Sequence, residues 1–208
     1  MGKQNAIAIF DIGKTNKKLF LFNEQYRILF ERSAVLEETK DEDDFPCEDV
    51  QRLRSFIIDS FHEVSTMEEF HIKTVNFSAY GASFVFIGDS GNPVTPLYNY
   101  LKPYPHDLLH QFYSTYGGEE DFAYQTASPV LGNLNSGMQL YRIKYEKPEL
   151  FQKIKYAFHL PQFLSYILSG SLHSDITSIG CHTNLWDFKK NDYHDWVEIG
   201  RASCRERV

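Results

Sequence analysis

Two apolar runs, Ile7-Ala8-Ile9-Phe10 and Leu19-Phe20-Leu21-Phe22, flank the polar turn Asp11-Ile12-Gly13-Lys14-Thr15-Asn16-Lys17-Lys18. The residue types in that turn suit phosphate. A glycine lets a ligand approach the backbone, successive amides can line a concavity for anions, and Thr15, Asn16 and the three lysines add donors and positive charge. Asp11, at the end of a strand, is placed to hold magnesium through water, since that ion prefers one or two carboxylates plus substrate phosphate oxygens. The turn lacks the second glycine and the Gly-Lys-Ser/Thr ending of a Walker loop, and it is not a dinucleotide fingerprint. An ordinary hairpin with a lysine-rich turn also accounts for these residues, so the rest of the chain carries weight.

Further on, Lys73-Thr74-Val75-Asn76-Phe77-Ser78 reads as a strand entering the polar stretch Ala79-Tyr80-Gly81-Ala82-Ser83. Phe84-Val85-Phe86-Ile87 then reads as its hairpin partner, ahead of a turn rich in Gly, Asp, Asn and Pro. Tyr80 fits core packing and substrate contact equally. Asn133 and Asn135, in the loop over 128–137, fit turn capping or contact with substrate hydroxyls.

These groups need elements to position them. Val50, Leu53, Phe56, Ile57, Phe61 and Val64 recur at helical spacing and predict a helix over 49–64 with one buried face. The acidic stretch over 37–44 reads as a solvated loop between a third strand, near 27–31, and that helix. Helical spacing returns at Met138, Leu140, Tyr141, Ile143 and Lys144, Pro148 opens a short helix, and a helix over 159–169 ends at Gly170, suited to a left-handed cap. Strands followed by alternating helix and strand give an α/β class.

With those segments in view, a resemblance can be stated. Strand, Asp11-x-Gly13-x-Thr15, a basic Lys18 and a second strand resemble the first phosphate-binding hairpin of the sugar-kinase, heat-shock and actin ATPase superfamily. Within it the chain resembles the FGGY carbohydrate kinases. The segments Tyr80-Gly81, 128–137, Ser174-Asp175-Ile176-Thr177-Ser178 and Leu185-Trp186-Asp187 follow the family order. The resemblance implies a ribonuclease-H-like (actin-like ATPase) domain, with a mixed five-stranded sheet and helices on both faces. It implies ATP and magnesium as cofactors, Asp11 beside the ion, and Gly13, Lys14, Thr15 and Asn16 around the phosphates. Lys18 takes the family's Lys/Arg place, and Lys17 points to the opposite face and matters less.

Tyr80, Gly81, Asn133 and Asn135 would face the sugar. Lys14 departs from the usual threonine or alanine, and the Gly-Lys-Thr-Asn-x-Lys form resembles a subgroup of bacterial sugar kinases. Tyr80 and Gly81 stand where glycerol-phosphorylating members have Arg-Glu, which disfavours glycerol, and the acceptor that the resemblance implies is a sugar, with a ketose or deoxyketose such as rhamnulose or fuculose expected. The segment Tyr98-Asn99-Tyr100-Leu101-Lys102 departs from the family's Trp-x-Asp-x-Arg. A non-catalytic sugar-binding regulator and a pure interaction module are the rival classes. The family's catalytic base and its second, adenosine-binding domain are expected beyond this segment. Residues 1–197 are therefore read as the N-terminal domain. Residues 198–208 resemble a sequencing adapter translated in frame.

Composition supports the same class. The chain has 208 residues and a net charge of −7, which disfavours a nucleic-acid surface. Cys47 and Cys181 are too few and too far apart for a disulfide framework or a zinc site, and the 8 histidines are scattered. No apolar run has membrane-span length and no signal pattern opens the chain, so the expectation is a cytoplasmic protein, and the resemblance implies sugar and ATP as its partners. The oligomeric state is left open, a homodimer included.

Overall fold

A computed structural model describes residues 2–200, with side chains to Val197. The adapter-like tail falls outside that range apart from the backbone of 198–200. Strands β1 (Gln4–Ile12), β2 (Asn16–Phe22) and β3 (Ile28–Val35) form an antiparallel meander. The short strands β4 (Thr39–Lys40) and β5 (Pro46–Cys47) pair across the acidic loop. Helix α1 (Val50–Thr66) then carries the chain over the sheet, and β6 (Phe70–Ala79) returns parallel to β1, giving the order β3-β2-β1-β6. Asp49 caps α1 by accepting from the Gln51 and Arg52 amides at 2.9 and 3.1 Å.

Beyond β6 come β7 (Phe84–Ile87), α2 (His106–Thr115), α3 (Glu119–Thr126), α4 (Ser136–Glu146) and α5 (Pro148–Phe151). Next come β8 (Tyr156–His159), α6 (Leu160–Ser169), α7 (Ile176–Ile179), a ribbon of the two-residue strands β9 (Trp186–Asp187) and β10 (Asp192–Tyr193), and a 3-10 turn over Asp195–Gly200. Gly170 ends α6 at φ +66°, the left-handed conformation expected of it.

The class is the expected one, a mixed sheet with helices, but several details differ. Among the described residues the main sheet has four hydrogen-bonded strands, not five. The expected hairpin between 73–78 and Phe84–Ile87 does not form, because β7 pairs antiparallel with β8. The burial of β7 gives the reason. All four of its residues are buried: Val85 and Ile87 join the core built on β1, β2, α1 and α6, whereas Phe84 and Phe86 join a second core with α2, α3 and α4. A strand buried on both faces reads as a continuous apolar run and has to sit between two cores, not at a half-solvated hairpin edge.

Helices were expected on both faces of the sheet, and that also differs. Ala8, Phe10, Ile12, Leu19 and Leu21 are buried under α1 and α6, which touch each other. Ile7, Ile9, Phe20 and Phe22, on the opposite face, are only half-buried and belong to neither core, so among the described residues the helices cover one face. Each large apolar side chain fully buried on the covered face stabilises the fold by about 1.5–3 kcal/mol.

The acidic loop is anchored where free solvation was expected. Asp41 is buried and sits 2.5 Å from the Lys102 ammonium, which also reaches Asp43 at 2.6 Å. Burial alone would raise the Asp41 carboxyl, but Lys102 and the amides of Asp43 and Phe45 outweigh it and hold the group below its usual range. Lys102 is thereby committed to the scaffold.

Candidate active site

The hairpin turn closes with the Gly13 amide donating to the Asn16 carbonyl at 2.9 Å, and a side chain at 13 would press on that same oxygen at 3.2 Å. Glycine is therefore favoured here by close approach. Thr15 and Asn16 are exposed at the tip. Asp11 is exposed on the uncovered face, directly across from Lys18 on β2 and from Ser78 on β6. The register thus sets a basic group, a carboxylate and a hydroxyl in one row beside the turn.

Both outward lysines are held by carboxylates: Lys14 by Glu38, and Lys18 by Glu31 at 2.9 Å. These pairs are partly solvated, and such pairs contribute only about 0–1 kcal/mol, so a phosphate can replace the carboxylates at small cost. Lys17 does point away from Lys18, as alternation requires. It is nevertheless 1% exposed, with its Nζ 2.5 Å from Glu48 Oε1 and 2.9 Å from the Lys14 carbonyl it donates to. Reading the sequence missed Glu48. A lysine on the apolar face of a strand was the available signal, since a buried ammonium needs a partner.

Tyr80 resolves into neither of its two expected roles alone. Its hydroxyl donates to Glu48 Oε2, its ring lies 5.8 Å from that of Tyr100, and burial together with the Glu48 carboxylate drives its pKa well up. Gly81 is exposed and lines a cleft of about 280 Å³ with Leu134, Ser136, Pro161, Thr177 and Cys181. A groove of about 430 Å³ continues from it along Asn76 and Ser78 to Gln162, His173 and Ser178, sharing Ala79, Pro161, Thr177 and Ser178. Four segments distant in sequence therefore meet here: the end of β6, the start of α4, the start of α6 and α7. Because Ser78 pairs in register with Asp11, the groove runs beside the turn's row.

Asn133 and Asn135 are not offered to that cleft. Asn133 donates to the Lys102 carbonyl at 2.6 Å. Asn135 is fully buried: it accepts from the Leu131 amide at 2.8 Å and donates to the Pro129 and His182 carbonyls at 3.0 and 2.8 Å. The two amides shape the loop that presents Leu134 and Ser136.

His159 and His182 were not singled out beforehand, and Asp175 entered only as part of the family-like segment over 174–178. His159 Nε2 is 2.9 Å from Ser136 Oγ, and complete burial pushes its pKa down to about 3, so it stays neutral and is a weak base near pH 7. Asp175 caps α7, accepting from the Thr177 amide and hydroxyl at 2.9 and 2.8 Å, and these bonds lower its pKa. His182 Nδ1 lies 3.3 Å from Cys181 Sγ at the cleft wall. Among the described residues no group of three or more His, Cys, Asp and Glu gathers as a metal cage. None of their helices is long and apolar enough to cross a membrane.

Residues 6–198 match the description of the FGGY family of carbohydrate kinases, N-terminal domain. The chain belongs to that family. Rhamnulokinase of Bacteroides thetaiotaomicron is 26% identical over 129 residues, which cover 62% of this chain and 26% of that protein. A carbohydrate kinase from Novosphingobium aromaticivorans superposes with a TM-score of 0.81 at 21% identity, over 97% of this chain and 42% of that one. A xylulose kinase from Rhodospirillum rubrum superposes at 0.82 and 15% identity, over 95% and 41%. The glycerol kinase of Plasmodium falciparum, solved with ADP, gives 0.79 at 16% identity, over 98% and 42%. This chain thus spans between a quarter and about two-fifths of the length of these relatives. The structural likenesses establish the fold of an FGGY sugar kinase.

Proposed function

We propose that residues 1–197 form the phosphate- and sugar-holding half of an ATP-dependent carbohydrate kinase whose acceptor is a ketose or deoxyketose such as rhamnulose or fuculose. The observation that carries this reading is the row of Lys18, Asp11 and Ser78 lying beside the groove that continues into the cleft lined by Gly81, Ser136 and Thr177. In phosphoryl transfer the protein contributes positioning and charge, and both are represented in that arrangement. The amides and side chains of Gly13, Lys14, Thr15 and Asn16 hold the phosphates, Lys18 leaves Glu31 to neutralise them, and the cleft holds the sugar with Gly81 on its wall and Tyr80 next to it in the chain.

Magnesium fits the donors present. Asp11 is a single exposed carboxylate, and one carboxylate with phosphate oxygens and water is a usual magnesium environment. When bound, the ion neutralises charge on the transferring phosphate. The attacking hydroxyl also needs a base. His159 and Asp175 are committed as described, so we infer that the base comes from outside residues 1–197, in the part of the protein that also holds adenosine.

The test is a coupled ADP-release assay, on a chain carrying the native continuation after residue 197, against ketoses, deoxyketoses and glycerol. Turnover with a ketose or deoxyketose and none with glycerol is expected. No sugar-dependent ADP release from any acceptor would overturn the kinase reading and favour the regulator or interaction module. Phosphorylation by residues 1–197 alone would overturn the placement of the base and direct attention to His182.

A further inference from the structure

A buried chain of polar contacts joins the phosphate turn to the sugar-side strand. Lys17 Nζ makes its directional bond to the Lys14 carbonyl, inside the turn, at 2.9 Å. The same ammonium lies 2.5 Å from Glu48 Oε1 without an aligned hydrogen bond, so that contact is electrostatic. Glu48, just ahead of α1 and 4% exposed, receives the Tyr80 hydroxyl on its other oxygen. Tyr80 precedes Gly81, which lines the cleft. One carboxylate thus holds Tyr80 directly and the turn through a single lysine. A buried ion pair is a weak source of stability compared with apolar residues of the same volume, so its presence at this junction calls for another role.

We propose that Lys17 and Glu48 are positioning residues that tie the phosphate turn to Tyr80, so that seating either ligand orders the site of the other. The proposal rests on the phosphate reading of the turn given above. Coupling of this kind is reciprocal: an occupied cleft fixes Gly81 and through the backbone the adjacent Tyr80, Tyr80 fixes Glu48, and Glu48 fixes the ammonium that orients the Lys14 carbonyl.

The test compares wild type with Tyr80→Phe, which removes one hydroxyl, and Glu48→Gln, which keeps an acceptor for Tyr80 but releases Lys17. Hydrogen–deuterium exchange at the Gly13 amide and its neighbours through residue 16 should speed up by about fivefold or more in both variants, with α4 unchanged. Unchanged exchange in the turn overturns the tie, and if Glu48→Gln does not fold, Tyr80→Phe decides alone. In the chain with its native continuation, Tyr80→Phe should raise KM for MgATP as well as for sugar, which a tyrosine acting only through the sugar would not do. A wild-type chain that never binds MgATP sinks the phosphate reading and this proposal with it. Wild-type MgATP affinity in Tyr80→Phe sinks the tie alone.

Discussion

Lys17 and Lys18 are adjacent on β2, yet the two faces they occupy treat charge in opposite ways. The Lys18 and Glu31 side chains are 34% and 42% exposed, and that pair can be exchanged for a ligand at little cost. The Lys17 and Glu48 side chains are 2% and 5% exposed, where losing one partner strands the other without water. The same contrast separates Asp11, exposed in the row beside the turn, from Asp41, buried against Lys102. The open face keeps its charges in weak, partly solvated pairs. The covered face uses equally charged residues as fixed struts.

The contrast breaks most visibly at Glu48. Glu48→Ala should destabilise the chain by about 3–5 kcal/mol, since it leaves the Lys17 ammonium buried and unpaired and removes the Tyr80 acceptor. Urea or thermal unfolding of the 208-residue chain measures this. A loss below about 1 kcal/mol would mean that the pair behaves like a surface pair and that the two faces do not differ.

On the open face the order of effects reverses, with activity falling and stability unchanged. In the chain with its native continuation, Asp11→Ala should lower turnover on the order of a hundredfold, as the proposed place of this carboxylate beside magnesium requires. Its unfolding midpoint should match wild type, because Asp11 is exposed. Unchanged turnover would remove Asp11 from the mechanism.

What was legible in the sequence follows the same division. The hairpin, α1 and the Gly170 terminus are local patterns of spacing and capping and formed where expected, with Asp49 standing as the cap of α1 and not as its first helical residue. Alternation also placed Lys17 and Lys18 on opposite faces. Alternation does not say which face is buried, and Glu48 lies 31 residues from Lys17, so the strut was invisible. Asn135 was ambiguous for a similar reason, because one of its three backbone partners, the His182 carbonyl, is 47 residues away. The pairing of β7 with β8 depends on two cores forming on either side of it, which no local pattern encodes.

The covered side should also carry a pH signature. The folded-state pKa of His159 is about 3, against an ordinary 6.5, because burial disfavours its charged form. As pH falls through 6.5 the unfolded chain binds a proton that the folded chain refuses, so stability is full above 6.5 and is lost between 6.5 and about 3. At pH 5 the loss from this group is about 2 kcal/mol, and His194, whose pKa burial also lowers, acts in the same direction. Asp41 and Asp175, held below the usual carboxylate value of 3.8, lose their contribution only at lower pH. Urea midpoints at pH 7 and pH 5 measure the slope, and His159→Asn should flatten it. A wild-type midpoint that does not move between those values would contradict the buried, neutral imidazole.

The smallest expected effect sharpens the comparison most, because it asks the exposed lysine to matter for chemistry and not for folding. Lys18→Ala deletes a partly solvated pair with Glu31 and a cation–π contact with the Phe20 ring at 5.4 Å, both exposed enough that stability should change by under about 1 kcal/mol. A point charge beside a transferring phosphate is worth more as charge builds, so in the chain with its native continuation KM for MgATP should rise and turnover fall by about tenfold. Lys17→Met makes the matched control: it removes a buried charge of similar volume, so unfolding and turn exchange should respond to it more strongly than they do to Lys18→Ala. Equal stability losses and equal kinetic losses for the two lysines would show that the faces of β2 are not specialised, and would take the phosphate contact away from Lys18.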